Sequence, residues 1–599
     1  MQIDKILLSI FQRSFRAITD EMSISLTKTT RSPILCEAKD FVTGLYDAKG
    51  QMLEQTENLP ILSFSLGPVC KVIIETYRDN IFPGDVIIHN DVFSMGNQNN
   101  DVAIFKPIFY HPDPNKSNTP EPQHSRTSTH HSPLTTHHPP TLIGWSAAKG
   151  HQADIGGAVQ GGYNPNATEV WQEALRIPAV KIYEKGKLRK DVWNLIFANI
   201  RLTMVQEDIK AQIGACTLGE RRLMALVEKY GIDCYETHKQ ELFNSTEAMM
   251  KKEIKGIPNG VYEGGSMVYY DGKHPGTKFP IHTKITVKDE EITFDFSGSS
   301  PQTNGFVNGT YTSTCSAITL TFLQMINPNI PHNEGMIKPL KYIVPEGTIL
   351  NASYPKATTF GNHLCPQVAD SIFKALSTAI PDRVTAGWNH LFCSLFTGIH
   401  PHTNRKYVDI CFLGMKGGSG ALEGDDGYDH IGMIDASGGV LDQDYEMYEQ
   451  QTPHLLLKHE YLLDSAGVGK WRGGLGTETY IKLRGDSTTM VVFGDGDKEP
   501  NYGLFGGKGS ILNKISLKYP DGNDFVPMSK DLIEDIPDAT VYHQIASGGG
   551  GYGDPGERDV EKVVDDVKNE VVSYEKAEKD YGVVFTDKKT LRVSKKTKT

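Results

Sequence analysis

Cysteine is scarce in this chain of 599 residues: Cys36, Cys70, Cys216, Cys234, Cys315, Cys365, Cys393 and Cys411, with no Cys-x-x-Cys pair among them. Spread so thinly through a large chain, they exclude a disulfide framework and a zinc ribbon. They imply free thiols in a reducing compartment, so the cytoplasm is the expected location. Long apolar runs are missing as well. No stretch approaches the roughly 20 apolar residues that span a bilayer, so no membrane partner is expected. The opening Met1-Gln2-Ile3-Asp4-Lys5 lacks the pattern of a secretory signal. An excess of positive charge is also absent: 61 Lys and Arg face 73 Asp and Glu, a net charge of -12. That balance argues against a nucleic-acid partner.

Common catalytic motifs are missing too. There is no Gly-x-x-x-x-Gly-Lys-Ser/Thr phosphate loop, since Gly467-Val468-Gly469-Lys470-Trp471 has the wrong spacing and no hydroxyl for magnesium. The isolated chain is therefore expected neither to bind nor to hydrolyse ATP. Neither a Gly-x-Ser-x-Gly elbow nor a His-Glu-x-x-His helix occurs.

The length implies several domains, and the patterns imply an α+β, multidomain chain of mixed strands and helices with a strand-rich C-terminal half. We divide it into an N-terminal α+β region (1–257), a strand- and glycine-rich region (258–559), and a C-terminal helix with a basic tail (560–599). Ile6, Leu7, Ile10, Phe11, Phe15 and Ile18 predict an amphipathic helix over 5–30. From Arg31 to about Phe109 short strands cut by turns are expected, with Val86-Ile87-Ile88 a buried one. Residues 192–230 predict two helices with a break near Cys216, because Thr217-Leu218-Gly219-Glu220 has capping-box form. Alternation predicts strands at 284–287 and 292–296, and a last helix is expected over about 560–580. The tail from Lys588 to Lys598 reads as solvated and frayed.

The segment 111–141 differs in kind. It holds seven prolines and six histidines with few large apolar residues, the composition of a disordered insertion. Its doublets His130-His131 and His137-His138 suit either metal binding or a solvated low-complexity loop. The run Ser547-Gly548-Gly549-Gly550-Gly551 reads either as a flexible hinge or as a place of positive φ or close backbone approach.

Three polar clusters stand out: Glu37-Ala38-Lys39-Asp40-Phe41; His89-Asn90-Asp91 with Gly96-Asn97-Gln98-Asn99-Asn100-Asp101; and Gly150-His151-Gln152-Ala153-Asp154. Imidazole and carboxylates at strand ends suit a divalent metal that activates water, and equally suit turn-making and structural roles.

In this order the clusters resemble the B subunit of the hydantoinase/oxoprolinase family, which includes the acetone carboxylase alpha subunit and a subunit of acetophenone carboxylase. The resemblance spans nearly the whole chain outside 111–141. It includes Arg31-Ser32-Pro33, Asp40-Phe41, Gly84-Asp85-Val86, Asp154-Ile155-Gly156-Gly157 and Asn199-Ile200-Arg201. Later it includes Asp295-Phe296-Ser297-Gly298, Asn333-Glu334-Gly335, Gly469-Lys470-Trp471-Arg472-Gly473-Gly474 and the signature Gly548-Gly549-Gly550-Gly551-Tyr552-Gly553-Asp554-Pro555.

The resemblance implies a hetero-oligomer, in which a hydantoinase A-type ATPase subunit uses ATP to phosphorylate a small amide or ketone. The subunit like this chain then completes the reaction beside a divalent metal, zinc or manganese. By resemblance the ligands are an acidic residue of the first cluster, a His-x-x-Asp motif of the second and the histidine of the third. Asp40, Asp101 and His151 stand at three of these positions, and Gln98 stands where the family has the histidine of His-x-x-Asp. An amide oxygen is a poorer ligand than imidazole. Asn90, Asp91 and Asp154 are candidates to orient the ligands by hydrogen bonds, or simply to stabilise turns.

The first reading is thus a subunit of an ATP-dependent cyclic-amide hydrolase. Gln98 and the text Gly150–Asp154 lean it toward the ketone-carboxylase alternative. A third reading, resting on Gln98 alone, is a scaffold subunit with a decayed metal site.

Overall fold

The computed structural model describes residues 3–56, 58–111, 140–485 and 487–593. Helix α1 (Lys5–Thr29) is where its apolar spacing predicts it; Asp4 caps it by accepting from the Ile6 and Leu7 amides. Its buried stripe of Phe11, Phe15, Ile18, Met22 and Leu26 packs against the helix Thr203–Tyr230 and one face of a sheet.

That sheet has seven strands: β1 (Phe41–Asp47), β2 (Met52–Gln55), β3 (Val86–His89), β4 (Asp101–Tyr110), β5 (Thr141–His151), β6 (Val180–Glu184) and β7 (Lys187–Leu188). Their spatial order is β2-β1-β5-β4-β3-β6-β7, antiparallel throughout. Thr43 donates to the Thr19 carbonyl of α1, while Tyr46, on the other face by strand alternation, packs against Gly67 of the helix Leu66–Tyr77. Covered on both faces, β1 is buried along its whole length, which is why its text shows no apolar–polar alternation. Because neighbours run antiparallel, the start of β1, the end of β5, the start of β4 and the end of β3 meet at one edge.

The rest of the chain adds three further main sheets. Strands β8 (Gly260–Tyr269), β9 (Lys278–Lys288), β10 (Glu291–Asp295) and β11 (Leu340–Ile343) form one, on which the helix Cys365–Leu376 packs. Then follow β12 (Phe392–Ile399), β13 (Lys406–Ile410), β14 (Leu455–Tyr461), β15 (Thr477–Lys482), β16 (Thr488–Gly494), β17 (Lys514–Lys518), β18 (Asp524–Phe525), β19 (Lys530–Ile536) and β20 (Val541–Ala546). They pair as β13-β12-β16-β19 and β14-β15-β20-β17-β18. Phe396, Ile481, Met490, Val492 and Tyr542 join these two sheets in one apolar cluster. The principal core runs from Phe11 to Phe493, across residue 257.

Several expectations need correction. The break expected near Cys216 does not exist: one helix runs from Thr203 to Tyr230, and the gap falls at 198–202, after the helix Lys190–Phe197. Thr217 bonds the Ile213 carbonyl inside the helix, and Gly219 lies against Met22 and Ser146, so what looks like a cap is a close crossing point. Residues 31–109 contain the helix Leu66–Tyr77 besides strands, and the helix Ile232–Lys255 follows where no element was expected. The strand-rich region also buries the helix Tyr311–Leu323. The last helix is two, Val560–Lys568 and Tyr574–Tyr581, parted where Glu570 takes φ 57°. Lys588 lies in a short hairpin of β21 (Phe585–Asp587) and β22 (Arg592–Val593), and the tail beyond lies outside the described residues. The interior of 111–141 also lies outside them, while β4 and β5 remain paired out to Tyr110 and Thr141.

The glycine run is no hinge. The Gly549, Gly550 and Gly551 amides bond the carbonyls of Gly474, Gly387 and Lys508 at 2.8–3.0 Å. A side chain at Gly549 would strike the Ser419 carbonyl, so close approach of backbone to backbone demands glycine there. All eight cysteines are free, and no helix among the described residues is long and apolar enough to cross a membrane.

Candidate active site

The shared edge of the seven-stranded sheet brings together residues far apart in sequence. Asp101 opens β4, His151 closes β5 directly opposite it, and Asp40 immediately precedes β1. His151 Nδ1 lies 2.8 Å from Asp101 Oδ1, and the His151 amide donates to the Asp40 carbonyl at 3.1 Å. All three side chains are buried.

The loop before β4 turns its amides inward. Asp101 Oδ2 accepts from Asn97 Nδ2 at 2.8 Å and from Asn362 Nδ2 at 2.9 Å. Gln98 Nε2 donates to the Thr359 carbonyl at 2.6 Å and to the Tyr163 hydroxyl at 3.0 Å. A carbonyl can only accept, so this contact fixes the amide's orientation. Gln98 Oε1 then accepts from Asn362 at 3.0 Å. Gln98 is therefore tied into the hydrogen-bond network on both sides of its amide.

Tyr163, His363, Asp435 and Lys149 complete the centre. The Tyr163 hydroxyl, already accepting from Gln98, lies 2.9 Å from His363 Nε2 and is free to donate to it. That places the His363 proton on Nδ1, which has no hydrogen-bond partner and stands 4.0 Å from Asp435 Oδ2. Lys149 donates to Asn97 Oδ1 at 2.8 Å and to Ser65. In the sequence Tyr163 is marked only by the glycines before it, and His363 and Asp435 carry no motif at all.

Burial shapes the charges here. It raises Asp40 to about 7, the nearby Asp101 adding to the rise and His151 opposing it. Burial also raises Asp435 to about 7 and lowers Lys149 to about 7 and His363 to about 3. For His151 burial acts downward, but the hydrogen bond to Asp101 and the charges of Asp40 and Asp101 outweigh it and hold the imidazole above its ordinary value.

A cavity of about 50 Å³ opens on this centre, lined by Asp40, Tyr163, His363 and Asp435 together with Leu391, Met433 and Phe493. Ile410 and Phe412 also line a larger cleft of about 300 Å³ that passes Arg31, Ser32 and Asp409. Whether the centre suits a divalent ion can be read from its donors. Two carboxylates and an imidazole have the right chemistry, and Asp40 Oδ1 is buried with no hydrogen-bond partner. Asp101 and His151 are bonded to each other, however, and the three donors do not converge within coordination reach as a set. Holding an ion would require that pair to open toward Asp40.

The three supporting candidates behave differently. Asn90 donates to the Asn99 carbonyl at 2.7 Å and accepts from the Ile177 amide at 2.6 Å, so it shapes the loop carrying Gln98. Asp91 makes a two-point ion pair with Arg176, and Asp154 binds the Arg201 side chain and amide. Neither carboxylate has a described hydrogen bond to Asp40, Gln98, Asp101 or His151.

Comparisons with known proteins cover nearly the whole chain. The profile of the family described as hydantoinase B/oxoprolinase matches residues 4–555. Caprolactamase subunit beta of Pseudomonas jessenii is 32% identical over 592 residues, covering 97% of this chain and 96% of that protein. The solved structure of ATP-dependent caprolactamase from Pseudomonas jessenii superposes with a TM-score of 0.88 at 30% identity, covering 98% of each chain. The nucleotide-free structure of acetone carboxylase superposes with a TM-score of 0.84 at 20% identity, covering 99% of this chain and 81% of that one, a likeness of fold.

Proposed function

The chain belongs to the hydantoinase B/oxoprolinase family, and on that premise we propose that it is the B-type subunit of an ATP-dependent cyclic-amide hydrolase. Its substrate is a lactam or related cyclic amide that a partner ATPase subunit phosphorylates. The observation that carries this reading is the buried Asp101–His151 pair, 50 positions apart, set beside Asp40 at the wall of a small cavity. The likeness to a lactam hydrolase along the full length of both chains favours ring opening over carboxyl transfer.

Water adds to the carbon bearing the phosphorylated oxygen, and ring opening needs a proton taken from that water and one delivered to the ring nitrogen as the C–N bond breaks; a second water then releases phosphate from the acyl phosphate left behind. Asp435, raised by burial to about 7, lines the cavity and is the group placed to take the first. His363, whose Nδ1 proton has no hydrogen-bond partner and which lines the same cavity, is our candidate to deliver the second proton, with the Tyr163 hydroxyl fixing the ring through Nε2. A divalent ion held by Asp40, Asp101 and His151, zinc or manganese, would polarise the substrate and lower the pKa of bound water. Gln98 supports that centre by fixing Asn362 and Tyr163 rather than by binding the ion. Apolar walls at Leu391, Met433 and Phe493 keep bulk water from a reactive phosphorylated intermediate.

The test is reconstitution with the ATPase subunit and a panel of lactams, hydantoins and small ketones, with products identified by mass spectrometry. ATP-dependent ring opening is the expected result. Carboxylated product formed only with bicarbonate would replace this reading by the ketone-carboxylase one. No product, together with no bound metal, would leave only the scaffold.

A further inference from the structure

His430, Asp442 and His459 lie apart from the centre described above. They come from three places: the loop after Asp429, the turn before the helix Tyr445–Gln451, and the middle of β14. One donor atom from each lies within 4.8 Å of the other two, a convergence no other group of His, Cys, Asp and Glu reaches among the described residues. We propose that these three side chains bind a divalent transition metal of the zinc class, which fastens the loop 430–442 to the sheet edge at β14.

Both imidazoles are held as ligands are held. His430 Nδ1 lies 3.2 Å from the Lys416 carbonyl, which can only accept, so Nδ1 carries the proton and Nε2 faces Asp442 Oδ2 at 2.5 Å. His459 Nδ1 lies 2.8 Å from Thr479 Oγ1, its cross-strand partner on β15. With Nδ1 engaged by that hydroxyl, which also lies 3.5 Å from the Leu413 carbonyl, His459 Nε2 is left for an ion. Orientation of a ligating imidazole through its other nitrogen is the usual support of a metal site. The second oxygen of Asp442 takes the Lys416 ammonium at 3.2 Å, which leaves Oδ2 for the ion. Two imidazoles and a carboxylate suit zinc, with water as fourth ligand. The side chains of His430 and Asp442 are 16% and 24% exposed, enough for that water to enter. Metal–ligand bonds of roughly 2 Å need a wider His430–Asp442 separation than 2.5 Å, so the ion takes the place of the shared proton and the pair opens slightly.

The loop between the two ligands gives the site its consequence. Met433, Asp435, Ala436 and Val440 lie within it and line the central cavity. An ion at its two ends would set the position of Asp435. The inference stands independently of which reaction the cavity performs.

The test uses the full, untagged chain, freed of metal by chelation and dialysed against zinc, with bound metal counted by mass spectrometry. His459→Ala and Asp442→Asn should each bind one equivalent fewer than the wild type, while Asp101→Ala keeps that equivalent. His459→Gln serves if His459→Ala does not fold, with near-ultraviolet circular dichroism of the metal-free proteins as the check. In the wild type, zinc should also raise the melting temperature, and the Asp442→Asn variant should lose that increment. Equal zinc stoichiometry in the wild type and the folded His459 and Asp442 variants would overturn the proposal.

Discussion

Asp101 and His151 face each other across β4 and β5 with Oδ1 and Nδ1 2.8 Å apart, although 50 positions and a long insertion separate them. Removing either partner strands the other among buried groups. His151→Ala and Asp101→Asn are expected to lower turnover of the reconstituted complex by about 10²–10⁴-fold, the usual range for a positioned polar catalytic group. Circular dichroism of the variants should match the wild type. Turnover within about twofold of wild type would remove the pair from the chemistry.

Gln98→His should raise metal occupancy of the Asp40–Asp101–His151 centre, since imidazole is the stronger donor. The same change breaks the bonds to the Thr359 carbonyl and to Asn362, and Asn362 is itself a donor to Asp101. Tighter metal binding is therefore expected together with turnover reduced by about 10–100-fold. Metal titration and steady-state kinetics on one preparation check both halves, and unchanged metal affinity would count against Asp101 and His151 as ligands.

Asp409 offers a pH test away from that centre. Burial raises its carboxyl to about 7, and the hydrogen bond from Tyr448 at 3.2 Å only partly opposes this. The folded chain then holds a proton that the unfolded chain releases near pH 4. Between about pH 4 and 7 the folded state binds more protons, so this group makes stability fall as pH rises. Asp409→Asn should flatten that fall and, at pH 8, be more stable than the wild type by on the order of 1–4 kcal/mol. Denaturant melts across the pH range decide it; parallel curves for the two proteins would show that Asp409 ionises without cost.

Because β4 and β5 stay paired to Tyr110 and Thr141, the chain between them can be replaced by a two-residue Asn-Gly link. Soluble expression and a melting temperature within about 3 °C of the wild type are expected, the scale of roughly 1 kcal/mol in a large domain. A larger drop would mean that 111–141 packs on the body.

Much of this was legible in one dimension. Helix α1, β9 and β10 stand where apolar periodicity places them, because each buries a face whose spacing is local, and β3 stands where a short apolar run marks a strand buried throughout. The clusters around Asp40, Asp101 and His151 were visible as polar runs that equally suit turns, and it was their order that carried the family. Gln98 could be identified as a departure, but not as the residue that grips Asn362 and Tyr163. Where burial is two-sided or decided by a distant contact, local pattern misleads: Gly219 looks like part of a cap and is a crossing point, and the glycines at 548–551 look like a hinge and are packed backbone. The same limit hid His363 and Asp435. Neither stands in a motif, and they reach the cavity only because segments more than two hundred residues downstream of β4 fold over the edge of its sheet. Antiparallel pairing set which strand ends share that edge, and burial there, more than residue identity, brings two carboxyls of the centre, Asp40 and Asp435, to about 7.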